Sequence, residues 1–75
     1  MKYVSGETYE AFVKLLNSED AKTRYEVLLA MTGFDVELIQ FIEELKKICC
    51  DKEESYLNIK LSQKLIEKAY EYYVE

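Results

Sequence analysis

The chain has no histidine, no proline and no tryptophan, and its 75 residues include two glycines and two cysteines. Each shortage removes a class of protein. Without proline, and with Gly6 and Gly33 far apart, there is little of the turn punctuation that an all-β domain needs. The same isolation leaves no Gly-rich loop to cradle a phosphate. Histidine is the commonest general base, so its absence removes the ordinary centre of acid–base or nucleophilic catalysis. The paired carboxylates Glu43-Glu44 and Glu53-Glu54 do not replace it, because sequence neighbours on a helix point about 100° apart. The expected protein is not an enzyme. No window holds about 18 uncharged apolar residues, so neither a membrane span nor a secretory leader is expected.

Cysteine and arginine are equally informative. Cys49 and Cys50 are adjacent and cannot staple distant segments, as the cysteines of small secreted domains do. Two thiols without histidine fall short of the four ligands of a structural zinc site. No metal or cofactor is expected. A reducing cytoplasm is, with at least one thiol buried as a small hydrophobe. The single arginine stands in a balance of ten basic against fifteen acidic residues, a net charge of −5 and a pI near 4.7. That charge disfavours direct binding to nucleic acid or to an anionic membrane. Its natural complement is a protein with a basic surface, although the same charge also keeps a small cytoplasmic protein in solution.

What the chain does contain is helical patterning. With 49% hydrophobic residues it has too much apolar material for a disordered tail. At this length one domain, 1–75, is expected, burying about 60–65% of its unfolded surface. Tyr9, Phe12, Val13 and Leu16 recur at i, i+3, i+4, i+7 behind the candidate N-cap Ser5, which predicts a helix over 6–17. Ser18 is the expected cap of a second helix, 19–32, with Ala21, Tyr25, Leu28, Leu29 and Thr32 on its buried arc. Val27 and Met31 fall outside that arc as either a second buried edge, the preferred reading in so small a domain, or an exposed apolar contact, and Gly33 supplies a left-handed C′ residue. Asp35 is the expected cap of a third helix, 36–50, with Phe34 packed on Ile39 as a hydrophobic staple. Leu38, Ile39, Phe41, Ile42, Leu45, Ile48 and Cys49 cover more than half of its circumference, which places this helix at the centre. Residues 51–55 are a charged surface connector. Beyond it, 57–61 alternates like a short strand, but the helical template fits the whole of 57–74. That template puts Leu61, Leu65, Ile66, Ala69, Tyr70, Tyr72 and Tyr73 on one half. The expected fold is a compact all-α bundle of about four helices.

From Leu28 to Glu43 the chain resembles a bacterial helix-turn-helix, with Leu28, Gly33, Phe34, Ile39 and Ile42 at its apolar and turn positions. The resemblance implies a DNA-reading face at Val36, Glu37 and Gln40. None of these is the Lys or Arg that finds phosphate or guanine, and Leu29 stands where a small residue is usual. A structural helix corner is the preferred reading. A degenerate helix-turn-helix regulator, monomeric or dimeric, is the alternative.

Two further patterns point to a protein partner. Glu37, Glu44 and Asp51 are spaced by seven, so on a continuous helix they form a row rising about 10.5 Å per step. Glu53 and Glu54 extend it toward Tyr56. The seven tyrosines suit interfaces or the rim of a small core, and Tyr72 falls at the margin of the apolar arc. The candidate protein-binding residues are therefore Glu37, Glu44, Asp51, Glu53, Glu54, Tyr56 and Tyr72, against the simpler reading of a solvated acidic face. A tiny, acidic, helical, cysteine-poor chain is similar in class and charge to phage-encoded anti-defence inhibitors such as anti-CRISPR proteins. That similarity implies a non-catalytic inhibitor occupying a basic nucleic-acid-binding groove of a host protein. A structural or assembly subunit that folds fully as a homo-oligomer is a further alternative.

Overall fold

Side-chain oxygens open the first two helices. Ser5 Oγ accepts from the Thr8 N–H at 3.3 Å and starts α1 (Gly6–Leu16). Asn17 ends it, its N–H donating to Val13 O and Lys14 O. Asp20, rather than the expected Ser18, caps α2 (Ala21–Met31). One carboxylate oxygen accepts from the Lys22 N–H at 3.3 Å and the other from the Thr23 hydroxyl at 2.9 Å. Ser18 Oγ sits one step back and accepts from the Asp20 N–H. A carboxylate wins this position because it serves two donors at once and complements the positive end of the helix dipole.

The computed structural model describes residues 4–73, the side chain of Tyr73 excepted. The side chain of Tyr73, expected on the apolar half of the fourth helix, and the last residue of that expected helix lie outside the described residues. Within them the chain is all-α, with four α-helices and one 3-10 segment in the order α1, α2, 3-10 segment, α3, α4.

Residues 27–31 of α2 are an unbroken apolar run, so periodicity alone does not decide which side faces inward. The structure buries Val27, Leu28 and Met31 and leaves Leu29 44% exposed. The expected main arc through Leu29 is thus corrected: the edge through Val27 and Met31 is the inner one.

The corner that follows is built without left-handed backbone. Thr32 is right-handed (φ −64°, ψ −17°), and neither glycine has a positive φ, so Gly33 is not the expected C′ residue. Three i→i+3 bonds, from the N–H groups of Thr32, Gly33 and Phe34 to Leu29 O, Ala30 O and Met31 O, wind the helix end down instead. The next stretch is a 3-10 segment, Val36–Phe41, followed by α3 (Ile42–Cys49), in place of one α-helix over 36–50. Asp35 explains the difference. Its carboxylate is drawn to Lys68 at 3.2 Å and makes no capping bond, so the uncapped start tightens to i→i+3 bonding. The Glu37 carboxylate turns back to the Asp35 N–H at 3.0 Å. Phe34, in turn, joins a cluster of rings with Tyr9, Phe12 and Phe41 at centroid distances of 5.2 to 6.1 Å. That cluster joins α1 to the 3-10 segment.

The fourth helix, α4 (Tyr56–Tyr73), packs on α2, on the 3-10 segment and on α3. Its innermost stripe is Asn58, Ser62, Leu65 and Ala69, at i, i+4, i+7 and i+11. Two small polar residues thus extend the apolar stripe, while Tyr70, expected on the apolar half, is exposed and Tyr72 stands at the exposed margin where the arc places it. Ser62 meets its own need by donating to Ile59 O at 2.9 Å. The third segment supplies Leu38, Phe41, Ile42, Leu45 and Ile48 to the core, the largest share from any part of the described chain.

Candidate protein-binding surface

Arg24 lies on the first turns of α2, and its planar fork reaches two other segments. Nε and Nη2 donate to the two carboxylate oxygens of Glu54 at 2.7 and 2.8 Å, and Nη1 donates to Ser18 O. The Glu54 side chain is 2% exposed. Its Oε2 also accepts from the Ser55 N–H at 2.9 Å and from Asn58 Nδ2 at 3.2 Å. Asn58 Nδ2 donates in addition to Ala21 O at 3.0 Å, and Asn58 Oδ1 is buried with no donor. The Arg24 guanidinium, together with these amides, holds the Glu54 carboxyl below the usual carboxylate range although burial opposes it. A bidentate, charge-assisted contact of this kind fixes orientation as well as distance. It brings the turn 17–20 to the connector 51–55.

That arrangement redistributes the candidate residues. Glu54 is an internal ion-pair partner, and its place in the charged surface connector is corrected. The straight row of Glu37, Glu44 and Asp51 required a continuous helix over 36–50. Glu37 instead lies in the 3-10 segment, Asp51 lies past the end of α3, and Glu44 alone is on α3. Glu44 is engaged too, accepting from Asn17 Nδ2 at 3.2 Å and pairing with Lys47 at 3.5 Å. Asp51 and Glu53 are exposed in the connector, where the Glu53 N–H donates to Asp51 Oδ1 at 2.9 Å and the Glu54 N–H to Asp51 O at 3.2 Å. Across from them Glu19 and Asp20 are exposed on the turn that Arg24 holds. Asp20 and Asp51 both lie within electrostatic reach of the guanidinium.

The two turns therefore present Glu19, Asp20, Asp51 and Glu53, with Lys52 in the connector and Lys47 lining the cleft between the turns beside Asp51. Glu19 and Asp20 were not among the residues expected from the sequence. Their signal was Arg24, the only guanidinium in an acidic chain, whose fork needs a carboxylate partner wherever it is half-buried.

Tyr56 follows the connector and is 70% exposed, its ring beneath Lys60 Nζ at 5.6 Å from the centroid. Tyr72 is at the far end of α4. Partial burial and the Asp35 carboxylate that it hydrogen-bonds push its phenol up. Tyr56 thus follows the connector directly, with its ring under Lys60, and Tyr72 belongs to the Asp35–Lys68 corner. The residues that the helix-turn-helix resemblance puts on a reading face are covered in part: Val36, Glu37 and Gln40 are half-buried, and Gln40 Oε1 accepts from the Val4 N–H at 2.8 Å.

Cys49 and Cys50 are free thiols with their sulfurs 3.8 Å apart, the first half-buried and the second exposed, so neither is the buried small hydrophobe expected. Burial, then the neighbouring thiol, pushes Cys49 up, away from the reactive thiolate. Among the described residues no group of three or more Cys, Asp or Glu is placed to hold a metal ion, and no helix is long and apolar enough to cross a membrane. Compared with protein-family models, curated proteins and solved structures, the chain matches none.

Proposed function

We propose that this chain is a small non-catalytic protein-binding module that lays an acidic end against a basic, nucleic-acid-binding surface of a partner, as an inhibitor of the anti-CRISPR-like kind does. The observation that supports it is the Arg24 clamp. It ties the turn that carries the exposed Glu19 and Asp20 to the connector that carries the exposed Asp51 and Glu53, with the exposed Tyr56 next along the chain. Such a surface can stand in for phosphates against Lys and Arg side chains, with the tyrosine as the apolar anchor. A cytoplasmic setting belongs to the same reading and accords with two unpaired thiols.

The test is capture at two salt concentrations. Immobilised protein is expected to retain a basic nucleic-acid-handling protein at low ionic strength and to release it as salt rises. The double variant Glu19→Lys, Glu53→Lys is expected to stay folded, at a cost of about 0.5 kcal/mol per site, and to lose the partner. Capture that survives both salt and the double reversal would sink this reading. Duplex DNA is expected to give no mobility shift below micromolar protein at about 50 mM salt, and a nanomolar shift would favour a regulator instead.

A further inference from the structure

A second surface has the opposite chemistry. Between α2 and α4 a shallow groove is lined by Tyr25, Leu29, Leu57, Lys60, Leu61 and Lys64. Leu57 is 62% exposed, and with Leu29 it forms an apolar floor of a kind that polar substitution could replace without loss of fold. Lys60 and Lys64 stand one turn apart along the α4 edge, and no carboxylate lines the groove. Lys22, exposed one turn before Tyr25 on α2, adds a third cation on the same side of that helix. The nearby carboxylates Glu26 on α2 and Glu67 on α4 lie outside its lining, so in a chain of net charge −5 the groove itself is a local reversal of sign.

We infer that this groove docks an amphipathic segment of a partner protein whose apolar side chains are flanked by Asp or Glu. The size of the groove selects a side chain over a free ligand. Its volume is about 190 Å³, near the roughly 150 Å³ that hold a benzene ring and below the roughly 300–1,000 Å³ of small-molecule sites. It has room for one or two leucine-sized anchors. The charge selects the flanks of those anchors, since only carboxylates complement Lys60 and Lys64. The surface adjoins the acidic end where the Tyr56 ring lies under Lys60, but the two faces select partners of opposite charge, and either can bind without the other.

The global and local charges make opposite forecasts, which gives the test its force. The probes are two synthetic amphipathic peptides of about 15 residues, with leucines at i, i+3, i+4 and i+7. One is flanked by Glu and the other by Lys. Each is titrated into the full chain, labelled with 15N, at low salt. The acidic peptide is expected to shift the amides of Leu29, Leu57, Lys60, Leu61 and Lys64, with a Kd at least about tenfold below that of the basic peptide at those residues. Lys60→Glu with Lys64→Glu is expected to invert that preference. Leu57→Ser is expected to weaken both peptides while leaving the circular dichroism of the chain unchanged. Equal affinities, a preference for the basic peptide at the groove, shifts confined to other surfaces, or no shift up to millimolar peptide would each overturn the inference. So would concentration-dependent shifts at the groove without peptide, matched by a dimer in sedimentation, since the face would then belong to a second copy. Binding of the basic peptide at Asp51 and Glu53 speaks to the acidic end alone and is read separately from the groove residues.

Discussion

The aromatic cluster and the arginine latch each join segments far apart in the chain, and they do so by opposite physics. Tyr9, Phe12, Phe34 and Phe41 meet through ring faces and edges at 5.2 to 6.1 Å, contacts that tolerate small shifts and need no particular atom. Arg24, Glu54 and Asn58 meet through named donors and acceptors, so each depends on the others being in place. The rings supply burial and the latch supplies position. Removing a ring should cost energy in proportion to what it buries. Removing a latch partner should cost whatever its mate loses by being left alone in the interior.

The largest effect is expected at Phe41, which is fully buried and touches the other three rings. Phe41→Ala should lose about 3–5 kcal/mol in urea melts, and Phe41→Leu distinctly less, because much of the volume is kept. A loss below about 1 kcal/mol would mean that the cluster is a surface ornament. Next comes Arg24→Ala, at about 2–4 kcal/mol, below the fully buried case because part of the guanidinium still meets water. The comparison sharpens in the double variant Arg24→Met, Glu54→Met. If the latch acts chiefly as position, removing both charges should recover most of the single-variant loss. No recovery would make it a source of net stability.

Acid provides a third, smaller break. Because the folded-state pKa of Glu54 is depressed, its contribution is fully present above the unfolded value, about 4.3, and disappears as pH falls through the depressed value. Stability is expected to fall below about pH 4, and Glu54→Gln should flatten that part of the curve. An unchanged slope in the variant would assign the acid loss to other carboxylates. The smallest effect is at Gly33. A Cβ there would meet Ala30 O at 3.7 Å, an ordinary contact, and the backbone is not left-handed. Gly33→Ala should stabilise by about 0.4–1 kcal/mol through the unfolded chain. Destabilisation would restore the left-handed corner.

Helix number, the helical identity of 57–61, the Ser5 cap and the apolar roster of the third segment were all legible, because each rests on periodicity or on a cap within three residues. What escaped was decided by partners distant in sequence. Asp35 reads as an N-cap until Lys68 takes its carboxylate, and the straight acidic row disappears with the helix that Asp35 would have started. Leu29 and Val27 are indistinguishable inside a run of five apolar residues, so the inner face of α2 waited on packing. Asn58 and Ser62 look polar, and only their register with Leu65 and Ala69 shows that they face inward. The acidic end was half visible, since Asp51, Glu53 and Tyr56 were read from the connector. Glu19 and Asp20 join them through an arginine contact that no local pattern encodes.

The backbone without positive φ has a consequence for how freely this shape can be rewritten. Among the described residues none has a positive φ, so no corner is reserved for glycine. Gly6 has open space around its Cα, so it too accepts a side chain. The turns are instead specified by single oxygens, on Ser5, Asp20, Asp51 and Ser55, that accept from a nearby N–H. Ser, Thr, Asp and Asn exchange at such positions for roughly a kcal/mol or less. A library that varies these four sites within that set, and both glycines freely among small residues, is therefore expected to yield mostly folded chains. Such a fold can drift at every corner while its interior and its two charged faces stay as they are.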